Sequence, residues 1–242
     1  MEIEDLVEAY AKESFDNMAI PKLYQSMDAT DIKSNAYDFR VNDEDDSDTV
    51  TMYTIHFDKY AGAILPAVKD TFQERVETVN IEEGMEPPVI HPEEFGPFIE
   101  ESLYKNFTEN VDTATYFGEG FDGVKNAIKT FKQSRNFPVS TVVTSKDYLD
   151  STEKDGLSEM FDIEIVETDT IDSDELLLSH KSLGYFAVRS KPYARSYIDA
   201  HFDSGIDEPN IDNPLVVNFA ARIATAEIYP SRGLRFVPIS NN

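Results

Sequence analysis

The stretch YDFRVNDEDDSDTVTMYTIHF, from Tyr37 to Phe57, is the part of this chain whose reading decides the fold. Tyr37, Phe39 and Val41 alternate with Asp38 and Arg40, the two-residue period of a half-buried strand. A second strand-like run spans Thr49 to Phe57. Between them lies Asn42-Asp43-Glu44-Asp45-Asp46-Ser47-Asp48, too charged to enter a core. Two strands around a polar tip predict a long, projecting hairpin. Such a hairpin cannot bury its own apolar side chains, so something else must cover them. The candidate contact residues are Tyr37, Phe39, Val50, Met52 and Tyr53.

Upstream, residues 2–18 predict an amphipathic helix ended by Pro21, with Ile3, Leu6, Val7 and Tyr10 at helical spacing. Its apolar stripe is a second candidate contact surface. Downstream, Tyr60, Ile64, Leu65, Val68 and Phe72 suggest a short helix after Pro66, and the Pro-rich, acidic segment 76–92 reads as a surface connection. The strongest helical pattern is 93–117, where Phe98 or Ile99, Leu103, Phe107, Val111 and Ala114 step by three and four. Pro92, Glu93 and Glu94 suit its positive end. It is expected to end at Gly118-Glu119-Gly120-Phe121-Asp122-Gly123, with a second helix over roughly 123–133. A buried strand at 139–144 and a helix at 145–160, carrying Tyr148, Leu149, Leu157 and Met160, follow. Strands are then expected at 161–168, 175–179, 184–189 and 193–199, and 215–239 reads as largely extended, with Leu234, Phe236 and Val237 near its end. The sequence has no internal repeat.

The chain has 242 residues, with 47 Asp and Glu against 21 Lys and Arg, a formal net charge of −26. Sixteen Phe and 12 Tyr supply enough apolar mass for a core in spite of that charge. The acids run from Glu2 to Asp212, interleaved with apolar residues, as on a solvated surface. Self-repulsion of this size opposes compaction in dilute buffer. It is screened at molar salt, where the Debye length is about 3 Å. The composition therefore suggests a halophile. It also argues against direct binding to duplex DNA, which needs clustered bases. The densest basic stretch, Lys125, Lys129, Lys132 and Arg135, fits one helix face and the loop after it, and reads as solvated. With no cysteine, disulfides and thiolate metal sites are excluded. The acidic start MEIEDLVEAY lacks the layout of a signal peptide, and no apolar run reaches membrane-span length, so a soluble chain is expected.

No catalytic constellation emerges. His56, His91, His180 and His201 are not spaced as metal pairs, and no Gly-x-Ser-x-Gly elbow or phosphate-binding loop is present. Gly118, Gly120 and Gly123 have dinucleotide-fingerprint spacing, but a long helix is expected before them where that fingerprint needs a strand. They are read as a turn between helices. Carboxylate pairs carry no information among 47 acids. The acidic tip lacks the glycine and distal Glu of a calcium loop. No catalytic, cofactor or metal residues are assigned.

The order of these elements resembles the HK97-fold major capsid proteins of tailed viruses. The likeness is carried by Thr51 to Phe72, Phe95 to Asp122, Thr141 to Leu149, Phe161 to Val166, Leu183 to Arg189, and Ala220 to Val237 with Arg222 and the ending at Ile239. It implies an α+β fold. The parts would be an N-terminal arm at 1–27, an E-loop hairpin at 28–66 and a P-domain at 67–135 with its spine helix at 93–117. A compact A-domain at 136–222 and a return strand at 223–242 would complete it. It also implies hexamers and pentamers of an icosahedral shell around double-stranded DNA, in the virion of a virus of halophilic archaea, assembled in the host cytoplasm. The partners implied are other copies of the chain, with scaffold, cement or turret, and portal proteins. The packaged DNA would be touched only non-specifically, and no membrane is involved. No long N-terminal scaffolding segment is seen, so scaffolding is expected to be removed by maturation or supplied separately. Two other readings stand beside it: an encapsulin-like nanocompartment shell, and a halophilic enzyme whose acid/base pair is hidden among the surface carboxylates.

Overall fold

A computed structural model describes residues 3–42, 50–64, 90–198 and 215–239. The expected helix after Pro66, most of the 76–92 connection, the acidic hairpin tip and His201 lie outside these residues. In chain order the elements are α1 (Ile3–Asp16), β1 (Gln25–Asp28), β2 (Ala36–Asn42), β3 (Val50–His56) and β4 (Asp58–Ile64). Then come α2 (Phe95–Asn110), β5 (Asp112–Tyr116), α3 (Gly120–Arg135), β6 (Thr141–Ser145) and α4 (Ser151–Phe161). The chain closes with β7 (Glu164–Thr168), β8 (Leu176–Ser179), β9 (Gly184–Ile198), β10 (Leu215–Glu227) and β11 (Gly233–Pro238). They form a five-stranded sheet, β5-β11-β8-β6-β7, a four-stranded sheet, β1-β9-β10-β4, and the two-stranded hairpin β2-β3. The chain divides into two interleaved units: 1–17, 57–99 and 189–223 make one, and 18–56, 100–188 and 224–242 the other.

The larger unit holds the five-stranded sheet. Leu176, Leu177 and Leu178 of β8 are all fully buried, so both faces of this central strand are covered, as a continuous apolar run predicts. Val124, Ala127, Ile128 and Phe131 of α3, at three- and four-residue steps, join Val142, Leu157, Leu176, Leu178, Leu234 and Phe236 in one core. The segment before β1 is fastened by polar contacts. Thr141 and Ser179 hydroxyls donate to the Lys22 and Leu23 carbonyls, at 3.1 and 2.8 Å. Glu100, buried in α2, accepts the backbone N–H groups of Ala19 and Ile20 at 2.6 and 2.7 Å and the Thr168 hydroxyl at 3.0 Å. Those donors are thereby satisfied away from water. Glu175, also buried, accepts from Tyr104 and from two nitrogens of Arg235.

In the smaller unit, Val7, Ala11 and Phe15 of α1 recur every four residues and are buried. Ser14 ties this helix to the start of α2: its hydroxyl donates to the Glu93 carbonyl and accepts the Gly96 N–H, both at 2.7 Å. A Cβ on Gly96 would lie 2.2 Å from the Ser14 carbonyl oxygen, so only glycine permits this approach. β4 pairs antiparallel with β10, from Asp58↔Ile223 to Ile64↔Val217.

Three sequence expectations change. The helix expected over 93–117 is a 3₁₀ turn at Pro92–Glu94 and then α2, which stops at Asn110. Asp112-Thr-Ala-Thr-Tyr116 is instead a strand in parallel register with β11, so Ala114 continued the helical spacing by coincidence. Tyr60 to Ile64, before the expected helix, is strand, hydrogen-bonded to β10. The helix expected over 145–160 begins only at Ser151, where Asp150 and Glu153 form a reciprocal capping box. The strands expected at 184–189 and 193–199 are one strand that runs through Pro192. The Ala194 N–H, two residues on and on the same side of the strand, donates to Glu8 of α1 rather than to a strand. A missing donor at Pro192 therefore breaks no ladder.

Candidate functional site

The register of the hairpin divides the five expected contact residues. β2 and β3 pair from Ala36↔His56 to Asn42↔Val50. Alternation then puts Tyr37, Phe39, Val41, Thr51, Tyr53 and Ile55 on one face. The other face carries Ala36, Asp38, Arg40, Asn42, Val50, Met52, Thr54 and His56. The first face is aromatic. The Tyr37 and Phe39 rings stack at 6.2 Å, Phe39 and Tyr53 at 5.8 Å, and Phe39 meets the Tyr185 ring of β9 edge-on at 5.4 Å. Phe39 thus seats this face on its own unit, and Phe39 and Tyr53 are half-buried there. Tyr37, further along, stays 37% exposed. On the second face Val50 and Met52 are 49% and 56% exposed, beside Arg40 and a Thr54–Asp38 hydrogen bond of 2.6 Å. The first face is aromatic and only partly covered by its own unit, and the second, otherwise polar, exposes Val50 and Met52.

The arm residues divide in a similar way. Val7 is buried and is therefore spent on the chain's own core. Leu6 and Tyr10, one turn apart, are partly exposed, and Ile3 opens the helix. Tyr10 borders an open hollow of about 320 Å³ lined also by Glu13, Ser14, Asn17 and Glu93. Phe117, not singled out from the sequence, is the most exposed large apolar side chain among the described residues, at 70%. It stands on the turn before α3, where Asn126 holds its carbonyl at 3.1 Å. Its signal in the sequence was an aromatic placed directly before Gly118.

The glycine turn corrects an argument from sequence. A strand, β5, does precede Gly118-x-Gly120-x-x-Gly123, and α3 follows. The local charge still disfavours a pyrophosphate: Glu119 is the N-cap of α3, Asp122 lies in its first turn, and the Glu153 carboxylate approaches Gly120. The glycines serve the turn itself. Gly118 has φ 98°, Gly120 has φ 53°, and a Cβ on Gly123 would lie 2.8 Å from the Gly118 carbonyl oxygen.

The described histidines take structural places. His56 lies at the end of β3, His91 precedes the 3₁₀ turn, and His180 Nδ1 bonds Ser182 at 2.6 Å. Among the described residues no three His, Asp or Glu side chains are arranged to hold a metal ion. Glu8 is held below the usual carboxylate range by its hydrogen bond from Lys12, and Asp28 by the Thr30 backbone N–H and hydroxyl. Both shifts favour the ionised form, opposite to what a general acid needs. A hollow of about 180 Å³ between Gln25, Val41, Ser182, Gly184, Tyr185, Ile228 and Tyr229 contains no carboxylate. Among the described residues no helix is long and apolar enough to cross a membrane.

What this arrangement offers is exposed apolar surface, and comparison with solved structures gives the fold. The chain has the fold of a virus-like-particle subunit. It superposes on the virus-like particle from Pyrococcus furiosus with a TM-score of 0.61 at 10% identity, over 98% of this chain and 100% of that one. A chain of Microbacterium phage Oxtober96 gives a TM-score of 0.58 at 14% identity over 92% and 91%, and one of Mycobacterium phage Adephagia 0.56 at 11% over 93% and 91%. No protein-family model and no curated protein matches the sequence. At these identities the likeness is one of fold. It covers nearly the whole of each chain.

Proposed function

We propose that this chain is the major subunit of a closed protein shell of the HK97 type, in which β2-β3 is the E-loop and α2 the spine helix. Copies would form hexamers and pentamers of an icosahedral capsid around double-stranded DNA, adapted to high salt. The observation that carries the reading is the hairpin: an aromatic face only partly covered and, on the other face, Val50 and Met52 about half exposed. An exposed strand pair of this kind calls for a neighbour. Heterologous contacts, each copy reaching onto the next, close into rings. The full-length likeness to a virus-like-particle subunit supports the same use. The net charge of −26 suits an assembly made and kept at molar salt, where like-charged copies repel least.

Electron microscopy of the purified chain at about 2–3 M salt tests this, a regime in which the screening length is about 3 Å or less. Closed shells, tubes or rings of five or six are the expected outcome. A uniform monomer or dimer at high concentration, with or without added scaffold, overturns it.

A second reading keeps the shell and changes its content. The match that covers the whole of the other chain is to a virus-like particle, so an encapsulin-like compartment holding protein cargo has support of its own. Particles isolated from the native host separate the two: a strong nucleic-acid absorbance marks a virion, and a co-purifying protein without it marks a compartment.

A further inference from the structure

We infer that His180 is an acid-sensitive latch: its neutral imidazole fastens the connection between β8 and β9 to the connection between β10 and β11, and a further proton opens the fastening. The inference does not rest on the shell reading. Both connections belong to the larger unit. Backbone bonds bring them together. The His180 N–H donates to the Arg232 carbonyl at 2.9 Å, and the Leu183 carbonyl accepts the N–H groups of Ile228 and Tyr229, each at 2.9 Å. The side chains add a second set of bonds. His180 Nδ1 lies 2.6 Å from the Ser182 hydroxyl oxygen and accepts the Ser182 backbone N–H at 3.2 Å. The same hydroxyl oxygen accepts a guanidinium N–H of Arg232. Arg232 is buried, and its guanidinium carbon lies 4.4 Å from the Phe137 ring centre and 4.0 Å from that of Tyr229.

These contacts fix the protons. A guanidinium and a backbone N–H can only donate. The Ser182 oxygen therefore takes the Arg232 proton and gives its own to Nδ1. Nδ1 accepts twice, so it carries no proton, and the bond partners assign the ring proton to Nε2. A further proton, on Nδ1, would remove both of those bonds. It would also set an imidazolium across one hydroxyl oxygen from a guanidinium that two rings hold in place, and a like charge opposes ionisation. Phe137 and Ser140 also pack against this turn: the Phe137 ring centre is 5.4 Å from that of His180, and the Ser140 hydroxyl accepts the Lys181 N–H at 3.0 Å. Neither is charged. Lys181, beside His180 in the chain, and Arg232, across the turn, are both positive. A base that the fold holds neutral contributes stability that is complete above the ordinary histidine value, about 6.5, and is lost as pH falls below it.

The test compares the full chain with His180→Asn, at a salt concentration where circular dichroism shows both folded. The asparagine amide oxygen stands where Nδ1 stood, and it accepts without titrating. Between about pH 7.5 and about pH 5.5 the folded-to-unfolded ratio of the parent is expected to drop about tenfold relative to the variant, the proton uptake of one unfolded histidine. Nitrogen-15 spectra of the parent should show the His180 proton on Nε2 at about pH 7.5, and the ring still neutral one unit below the ordinary value. Over the same range, hydrogen exchange at the Ile228 and Tyr229 amides, corrected for its intrinsic pH dependence, should rise severalfold in the parent and not in the variant. A parent and variant whose stabilities follow pH in parallel overturn the inference. So does a His180 that carries its proton on Nδ1, or that titrates like an ordinary imidazole. Exchange that rises equally over all the strands assigns the loss to the global fold and also overturns it. Where His180→Asn does not fold, the nitrogen-15 titration of the parent decides alone.

Discussion

Two strands of the larger unit, β6 and β3, are built from similar residues and meet opposite fates. Thr141-Val-Val-Thr-Ser145 is buried at all five positions. Val50-Thr-Met-Tyr-Thr-Ile-His56 is buried only at Ile55. Both are rich in the β-branched residues that favour strands. The difference lies in neighbours: β6 has β7 on one side and β8 on the other, whereas β3 has β2 alone. Apolar strand composition therefore does not distinguish a core from an interface. What distinguishes them is whether the rest of the chain supplies a second partner and a covering layer.

The sharpest way to break this contrast is to damage each strand system and compare. Leu178→Ala in β8 or Phe131→Ala in α3 leaves a cavity in a fully buried cluster. Either is expected to cost about 3–5 kcal/mol, read from chemical denaturation. That is a large share of a typical domain's stability. A loss under about 1 kcal/mol would show that the five-stranded sheet is not the core. Glu100→Ala comes next. It strands the Ala19 and Ile20 N–H groups, and the cost expected is about 2–4 kcal/mol. Its specific readout is faster hydrogen exchange at those two amides, which a general loss of stability would not confine to that segment.

The hairpin should respond in the opposite order. Val50→Ser with Met52→Ser is expected to change subunit stability by less than about 0.5 kcal/mol, as for other exposed positions. Particle yield should meanwhile fall severalfold. Phe39→Ala lies between the two regimes, because it loses the stack on Tyr53 and the edge contact with Tyr185. About 1–2 kcal/mol is expected. If the serine variant destabilised the isolated subunit as much as Phe39→Ala, the two faces would not differ, and the division of the hairpin would fail.

Much of this contrast was legible in the sequence, because period-two alternation with an acidic interruption has few other readings. Leu103 and Phe107 were legible as a helix face for the same reason, and both are buried. What was not legible depends on partners distant in sequence. Asp112 to Tyr116 continues a helical spacing and becomes a strand only because β11, more than a hundred residues later, pairs with it. Pro192 looks like a strand end until Glu8 takes the place of a strand on that side. The sorting of Tyr37, Phe39 and Tyr53 from Val50 and Met52 needed the register, which composition does not contain. Phe117 needed the glycine turn that lifts it into solvent.

The smallest expected effect concerns the arm, and its direction follows from linkage. Glu8 accepts hydrogen bonds from Lys12 and from the Ala194 N–H, and its pKa is lowered first by Lys12 and then by Ala194. A carboxyl with a depressed folded-state pKa contributes stability above its unfolded value, and loses it as pH falls through the folded one. The pair is largely exposed to solvent, so its worth is discounted to about 0.3–0.5 kcal/mol. Glu8→Gln should therefore be slightly less stable than the parent at pH 7. The gap should close as pH falls below the ordinary carboxylate range and through the depressed value of Glu8, where the parent's own carboxyl takes up its proton. Paired denaturant melts across that range measure it. A gap that persisted at low pH would show that Glu8 holds α1 against β9 through its shape and its bond to Ala194 rather than through its charge.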